Sequence, residues 1–393
     1  MKVAVIGGGA AGLAAAITAR ESGHEVALFE RQARVGRKLM ATGNGRCNLT
    51  NLGASFENYH GAGEAFIAPA LGEFTVADTI AWFSRLGLVC EPDSEGRVYP
   101  FSDQAGSVLD VLRFRCDAIG VRTETGAEIR EIRRKSGAFS VNGERFDRVI
   151  VACGGRAGEH LGGTGLGYEL LRSLGHRITP LAPGLVRLKS AEEITKMLKG
   201  VRAKASVRLL RKGVLVCEKS GEVQFGDGGV SGIVIMDISL LAEDGDTLSC
   251  DLLPPVSAEE LRGKLLSRAA ATPEESAENL FAGVLHSRLG RAVIKRCGLD
   301  FGALLASLGE NDIEKAAKAA KSFTLTVTGR AGFPEAQVTL GGADTKEFKP
   351  ETLESRLVPG LYACGEVLDV AGDCGGYNLQ WAWSSGRLAG CLR

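Results

Sequence analysis

The 393-residue chain lacks a net charge: 47 Lys and Arg balance 47 Asp and Glu. No long-range field therefore draws it toward nucleic acid or an anionic membrane surface. It also lacks a membrane-spanning run, since the longest apolar stretch, Ala10 to Ala19, is broken by Gly12 and Thr18 and falls short of the ~20 residues a span needs. One Lys ahead of the first apolar residues is a poor signal-peptide start, so no targeting segment is expected. The ten cysteines are scattered, with no C-x-x-C pair and no metal-ligand spacing. They read as reduced thiols in a cytoplasmic protein. His24, His60, His160, His176 and His286 show no H-E-x-x-H or other ligand spacing, and no metal is expected. Glycine is the residue in excess: 53 of them, without the every-third-residue repeat of collagen, imply many close backbone approaches.

Length allows two or three domains, and 45% apolar residues exclude disorder. Val3 to Ile6 is a short apolar run, Gly7 to Gly12 is glycine-rich, and Ala14 to Arg20 continues in helix formers, so the order is strand, tight turn, helix. Glu25 to Glu30 is a second buried strand and completes a βαβ unit. Spacing predicts a helix over Thr75 to Leu86, and alternation predicts a β-meander over Val121 to Asn142 and a buried strand over Arg148 to Cys153. Short strands are expected at Ala205 to Leu210, Val214 to Glu218, Val223 to Phe225, Leu248 to Leu252 and Phe323 to Thr328, with helices from Ser257 to about Lys321. Leu361 to Cys364 is again a strand, Gly365 to Tyr377 a glycine-rich loop, and Leu379 to Leu392 a helix, so the two ends are expected to share one sheet.

Gly7-x-Gly9-x-x-Gly12 lies between that first strand and helix, and Glu30 follows Gly7 by 23 positions. These are the parts of a dinucleotide fingerprint: a turn, a close backbone approach to a diphosphate, tight helix packing, and an acid for the ribose hydroxyls. The ordinary alternative is a Rossmann-like unit without nucleotide. A nicotinamide dehydrogenase would continue into further βα units, whereas this chain passes to a Gly/Arg/Asn loop and a meander, an order that favours FAD.

These residues, with Gly36-Arg37-Lys38, Ala152-Cys153-Gly154-Gly155 and Gly365-Glu366, resemble the two-dinucleotide-binding-domain flavoproteins related to glutathione reductase. Three segments narrow the resemblance: GRKLMATGNGRCNLTN (Gly36 to Asn51), VTLGG (Val338 to Gly342) and GEVLDVAGDCGGYNLQWAWSSG (Gly365 to Gly386). They are similar to the family that includes BaiN-type bile-acid Δ4,6-reductases and aminoacetone oxidases. The resemblance implies an α/β fold: a Rossmann-like FAD-binding domain, parallel sheet with β-meander, from residues 1–184 and 330–393. It also implies an inserted β-barrel-like substrate domain (185–256 and 322–329) and a helical subdomain (257–321). The cofactor set it implies is Gly7, Gly9, Ala10, Ala11, Gly12, Glu30, Arg31, Gly36, Arg37, Lys38, Gly43, Asn44, Ile129, Ala152, Gly154, Gly155, Gly365, Glu366, Gly376, Tyr377, Asn378 and Leu379. Glu366 is expected on the ribityl chain, and the amides of Gly376 to Leu379 at the negative N1/O2 edge of reduced flavin.

Arg46 and Tyr377 are candidates for polarising a substrate or supplying its proton. Cys47 has no paired cysteine nearby and reads as a packing residue or a polarisable flavin neighbour, which disfavours a disulfide reductase. Trp381 and Trp383 read as core, and Ser231 lacks the full G-x-S-x-G elbow of a hydrolase. The expected activity is hydride transfer between flavin N5 and a small organic substrate between the flavin and the inserted module. Either enone C=C reduction with transiently bound NAD(P)H or amine oxidation with O2 satisfies that description. A nucleotide- or partner-binding protein that keeps the fold without catalysis is the alternative. No nucleic-acid or membrane partner is expected, and the catalytic residues and oligomeric state are not specified by the sequence.

Overall fold

Five short strands lie side by side, all parallel, in the order Leu361–Ala363, Arg148–Val151, Lys2–Ile6, Glu25–Glu30 and Arg122–Thr125. Val3 to Val5, Val26 to Phe29 and Val149 to Val151 are all buried, as a parallel sheet covered on both faces requires. The computed structural model describes residues 1–135 and 137–393. Because the strands are parallel, the loops after Ile6, Val151 and Ala363 leave from the same edge of the sheet.

The first helix, Ala10–Glu21, and the closing helix, Tyr377–Gly390, pack directly on one another. A Cβ on Gly386 would stand 2.4 Å from the Ala11 carbonyl oxygen, and one on Gly390 2.6 Å from that of Ala15. Glycine is what lets these two backbones touch. Trp381 and Trp383 are buried beneath them, their indole N–H groups donating to the carbonyls of Gly365 (3.2 Å) and Leu49 (3.0 Å), so both are core residues. The helix expected over Thr75 to Leu86 runs Val76–Arg85, begun by a reciprocal cap between Thr75 and Asp78.

The expected meander over Val121 to Asn142 divides. Arg122–Thr125 joins the edge of the parallel sheet, and the antiparallel group is Ile132–Lys135, Ala138–Val141 and Glu144–Phe146. Ser136, inside the expected span, lies outside the described residues. Alternating polarity marks a half-buried strand but does not name its neighbour.

Residues Leu185–Gly332 make a second unit, distinct from Met1–Gly184 with Phe333–Arg393. It contains a closed barrel ordered Leu188–Ser190, Gly229–Ser231, Val214–Gly226, Arg202–Arg211, Thr247–Asp251 and Phe323–Arg330, every neighbouring pair antiparallel. The two strands expected at Val214 to Glu218 and Val223 to Phe225 are one, because Ser220 and Gly221 stay paired across the hairpin with Ser206 and Ala205. Helices Ala258–Ala271, Ser287–Arg296 and Glu310–Lys321 follow in the region expected to be helical, the first of them capped reciprocally by Ser257 and Glu260.

Candidate functional site

The three fingerprint glycines meet three different needs. Gly7 has φ +109°, and a Cβ there would lie 2.4 Å from the Ala152 carbonyl oxygen; one on Gly12 would lie 1.8 Å from that of Gly7. Both are backbone contacts inside the fold. A Cβ on Gly9 would meet nothing within 4 Å, so this position faces open space. Beside it the amides of Ala10, Ala11 and Gly12 open the first helix, whose first intrahelical bond runs from Leu13 N–H to Gly9 O (2.9 Å). No acidic side chain occupies that first turn, and its amides and dipole are available to an anion. Glu30 sits at the end of the neighbouring strand, its carboxylate accepting from Gly8 N–H (2.8 Å) and Gln32 N–H (2.7 Å). Two carboxylate oxygens offer about four acceptor positions, so two remain for hydroxyl donors. Arg31 donates to the Gly162 carbonyl (3.2 Å), and Ile129 is buried with an amide that has no hydrogen-bond partner among the described residues.

The loops after the other two central strands join this edge. Gly154 has φ +71° with open space beyond it, while a Cβ on Gly155 would strike Thr339 Oγ1 (2.4 Å) and Glu366 Oε1 (2.5 Å). Glu366 accepts from Lys38 Nζ (2.6 Å) through one oxygen and from Thr339 N–H (2.9 Å) through the other. Thr339 Oγ1 in turn accepts from the amides of Arg156 (2.8 Å) and Ala157 (2.9 Å). Lys38 and Glu366, 328 positions apart, are thus brought together, and Gly365 beside them would carry a Cβ 2.8 Å from Ala11 Cβ. Arg37 points elsewhere: it is exposed and donates to the Gln32 side chain (2.9 Å). Thr339 was not among the sequence candidates, although it stands inside the VTLGG segment whose glycines let two backbones meet.

At the closing helix, Gly376 has φ +102°, and a Cβ would sit 2.5 Å from the Thr50 carbonyl carbon and oxygen. The Asn378 side chain clamps the preceding strand, accepting from Gly372 N–H (2.8 Å) and donating to Gly372 O (2.7 Å). This leaves the amides of Asn378 and Leu379 at the head of a 14-residue helix, again with no acidic residue in its first turn. Tyr377 is half-buried, its carbonyl accepting from Tyr59 OH (2.9 Å).

The Thr42 to Cys47 turn that approaches this helix is left-handed at Gly43 (φ 56°), Asn44 (φ 56°), Gly45 (φ 87°) and Cys47 (φ 61°). Asn and Cys in that region carry strain, which concentrates at functional loops. Cys47 is fully buried, and burial pushes its thiol up to about 12, partly offset by a hydrogen bond from Thr42. It is a neutral packing thiol. The Arg46 guanidinium pairs with Asp103 (2.6 Å) and stacks 4.2 Å above the Tyr99 ring. Cys364 is buried and Cys374 half-buried, and no disulfide forms among the described residues. Ser231 belongs to the barrel unit. His60, which no ligand spacing singled out, faces Asp373 with Nε2 to Oδ1 at 2.8 Å.

The geometry fits a dinucleotide: an open cradle at Gly9, three helix-start amides beside it, an acid with spare acceptor positions, and a second amide-bearing helix start in the same unit. The model of the HI0933-like protein Rossmann domain family matches residues 1–392. The 3-dehydro-bile acid Δ(4,6)-reductase of Clostridium scindens is 37% identical over 99% of this chain and 98% of its own length. The ribosomal RNA dihydrouridine synthase of Escherichia coli is 32% identical over 97% of this chain and 95% of its own length. Among solved structures, 3-ketosteroid Δ1-dehydrogenase from Sterolibacterium denitrificans aligns with 99% of this chain and 98% of its own, at 12% identity and a TM-score of 0.49. The chain belongs to the HI0933-like protein Rossmann domain family.

Proposed function

We propose that this enzyme binds FAD and reduces a C=C bond conjugated to a carbonyl in a small organic molecule, with NAD(P)H as the transient reductant. The observation that carries the cofactor reading is the pair of helix starts on one unit, Ala10 to Gly12 and Asn378 to Leu379, each presenting amides with no intrahelical acceptor and no acidic neighbour. One suits a diphosphate and the other a ring that becomes anionic when reduced. Bound FAD would supply hydride from its reduced N5. Gly9 and the amides of Ala10, Ala11 and Gly12 would hold the diphosphate, Glu30 the adenosine ribose, Ile129 the adenine, and Glu366 with Lys38 the ribityl chain. Gly154, Gly155 and the strained Gly43-Asn44 turn would keep backbone close to the cofactor, and the amides of Asn378 and Leu379 would meet the flavin pyrimidine edge.

The bond to be reduced follows from the two relatives' names. A 3-dehydro bile acid with Δ4,6 unsaturation and the uracil of uridine each present a C=C conjugated to a carbonyl. A small molecule is the better substrate for this chain because its 47 cations and 47 anions cancel, giving none of the phosphate attraction on which RNA binding rests. The test is anaerobic: photoreduced holoprotein is mixed with a 3-oxo-Δ4,6 bile acid or ribosomal RNA and the return of oxidised-flavin absorbance is timed, while oxidised holoprotein is mixed with aminoacetone and its bleaching is timed. Reoxidation by the steroid with a saturated product supports the proposal. Reoxidation by RNA alone, or reduction of oxidised flavin by the amine, overturns it.

A further inference from the structure

Reducing a conjugated C=C requires a proton as well as a hydride, and several groups at this edge are already paired or buried. Tyr59 OH donates to Tyr377 O, Tyr168 OH to Glu366 O, Arg46 is held by Asp103, and Cys47 is a buried neutral thiol. Asp369 is turned to the Thr179 hydroxyl, which donates to it at 2.9 Å. His60 differs. It stands on the strand Tyr59–Gly61, paired antiparallel with Val370–Gly372 so that His60 lies opposite Ala371. The latter strand runs straight into Asp373 and the first turn of the closing helix. His60 Nε2 is 2.8 Å from Asp373 Oδ1, and Nδ1 has no partner among the described residues. The Asp373 side chain is 6% exposed and the His60 side chain 21%, so the carboxylate is inside and the ring reaches solvent. The preceding residue, Tyr59, already fastens this strand to the helix start through its bond to Tyr377 O.

Resting on the C=C reading above, we infer that His60 is the proton donor of the reaction and Asp373 the residue that positions it. The carboxylate fixes the N–H on Nε2, so Nδ1 is the nitrogen that takes up and releases a proton. Bound reduced FAD would supply the hydride that the substrate β-carbon takes up, and the C=C π pair would move to the α-carbon. There it takes the proton from Nδ1–H of the imidazolium: an α C–H bond forms, the N–H bond breaks, the ring becomes neutral, and solvent reprotonates it. The substrate gains two electrons and two hydrogens, and the flavin loses the two electrons.

The test uses FAD-loaded wild type, H60Q, H60A and D373N. Photoreduced wild type is expected to reoxidise on adding a 3-oxo-Δ4,6 bile acid, with H60Q and H60A slower by roughly 10²- to 10⁴-fold, the ordinary contribution of a general acid. Added imidazole should restore part of the H60A rate, and D373N should lower the rate constant more than it raises the steroid concentration at half-maximum. FAD affinity, from flavin fluorescence quenching, and Tm should stay at wild-type values in H60Q. In oxidised holoprotein, which cannot turn over, the steroid should shift the one histidine ring NMR signal that is missing in H60Q. An unreactive wild type overturns the C=C reading and this assignment with it. A reactive wild type matched by H60Q, or an H60Q deficit that follows lost FAD affinity with no imidazole rescue of H60A, overturns the assignment alone.

Discussion

Gly9 and Gly12 belong to the same short motif but should fail in opposite ways when a methyl group is added. At Gly9 the backbone (φ −81°, ψ −170°) is open to any residue and the new Cβ meets nothing within 4 Å. Alanine is a slightly poorer helix N-cap than glycine, but it also restricts the unfolded chain, and the two effects, each under about 1 kcal/mol, oppose one another. Gly9→Ala should therefore leave Tm nearly unchanged. Its methyl would occupy the space through which a diphosphate approaches the amides of Ala10 to Gly12. Displacing one charge-assisted hydrogen bond costs about 1.5–3 kcal/mol, or roughly a 10- to 150-fold rise in the Kd for FAD at 1.4 kcal/mol per decade. Gly12→Ala would instead press a Cβ to 1.8 Å from the Gly7 carbonyl oxygen, a backbone contact that no rotamer relieves. It should lower Tm or abolish soluble protein before FAD is added. Fluorescence titration of apoprotein with FAD, beside thermal melts of both apo variants, separates the two. A Gly9→Ala protein that binds FAD with wild-type affinity would refute the diphosphate assignment.

Three further outcomes follow from the same physics. Thr339→Val deletes the hydroxyl that accepts from two amides, Arg156 and Ala157, at a residue 1% exposed. At about 1–3 kcal/mol for each stranded donor, denaturant unfolding should show a loss of roughly 2–6 kcal/mol, and a neutral result would rule out this bonding. His176 lies buried between Glu347 and Ser355, and burial holds it below its ordinary value even though Glu347 pulls it up. Its unfolded form therefore binds a proton first as pH falls below about 6.5. Stability should drop from there until the folded ring itself titrates, a slope in Tm against pH that His176→Phe should lack. Cys47, with its thiol at about 12, should remain unalkylated by iodoacetamide in native protein at about pH 8, where an ordinary thiol reacts. Rapid labelling there would contradict its burial.

The sequence by itself determined the opening βαβ unit, because three glycines at fixed spacing between an apolar run and a run of helix formers have few other uses, and Glu30 falls at the end of the next strand. It also determined that the ends of the chain belong together, since the last strand and helix repeat the grammar of the first. What it left open were partners. Arg122–Thr125 read as meander and lies in the parallel sheet, because alternation reports a half-buried face and not the neighbouring strand. Arg46 read as a candidate for polarising a substrate, and its partners Asp103 and Tyr99, more than fifty residues away, were not legible. His60 was invisible because Asp373 lies 313 positions further on, and no local spacing encodes a contact made by pairing two distant strands. Local chemistry reaches only a turn or two along the chain; which side chain faces which across the sheet edge is set by the closure of the whole unit.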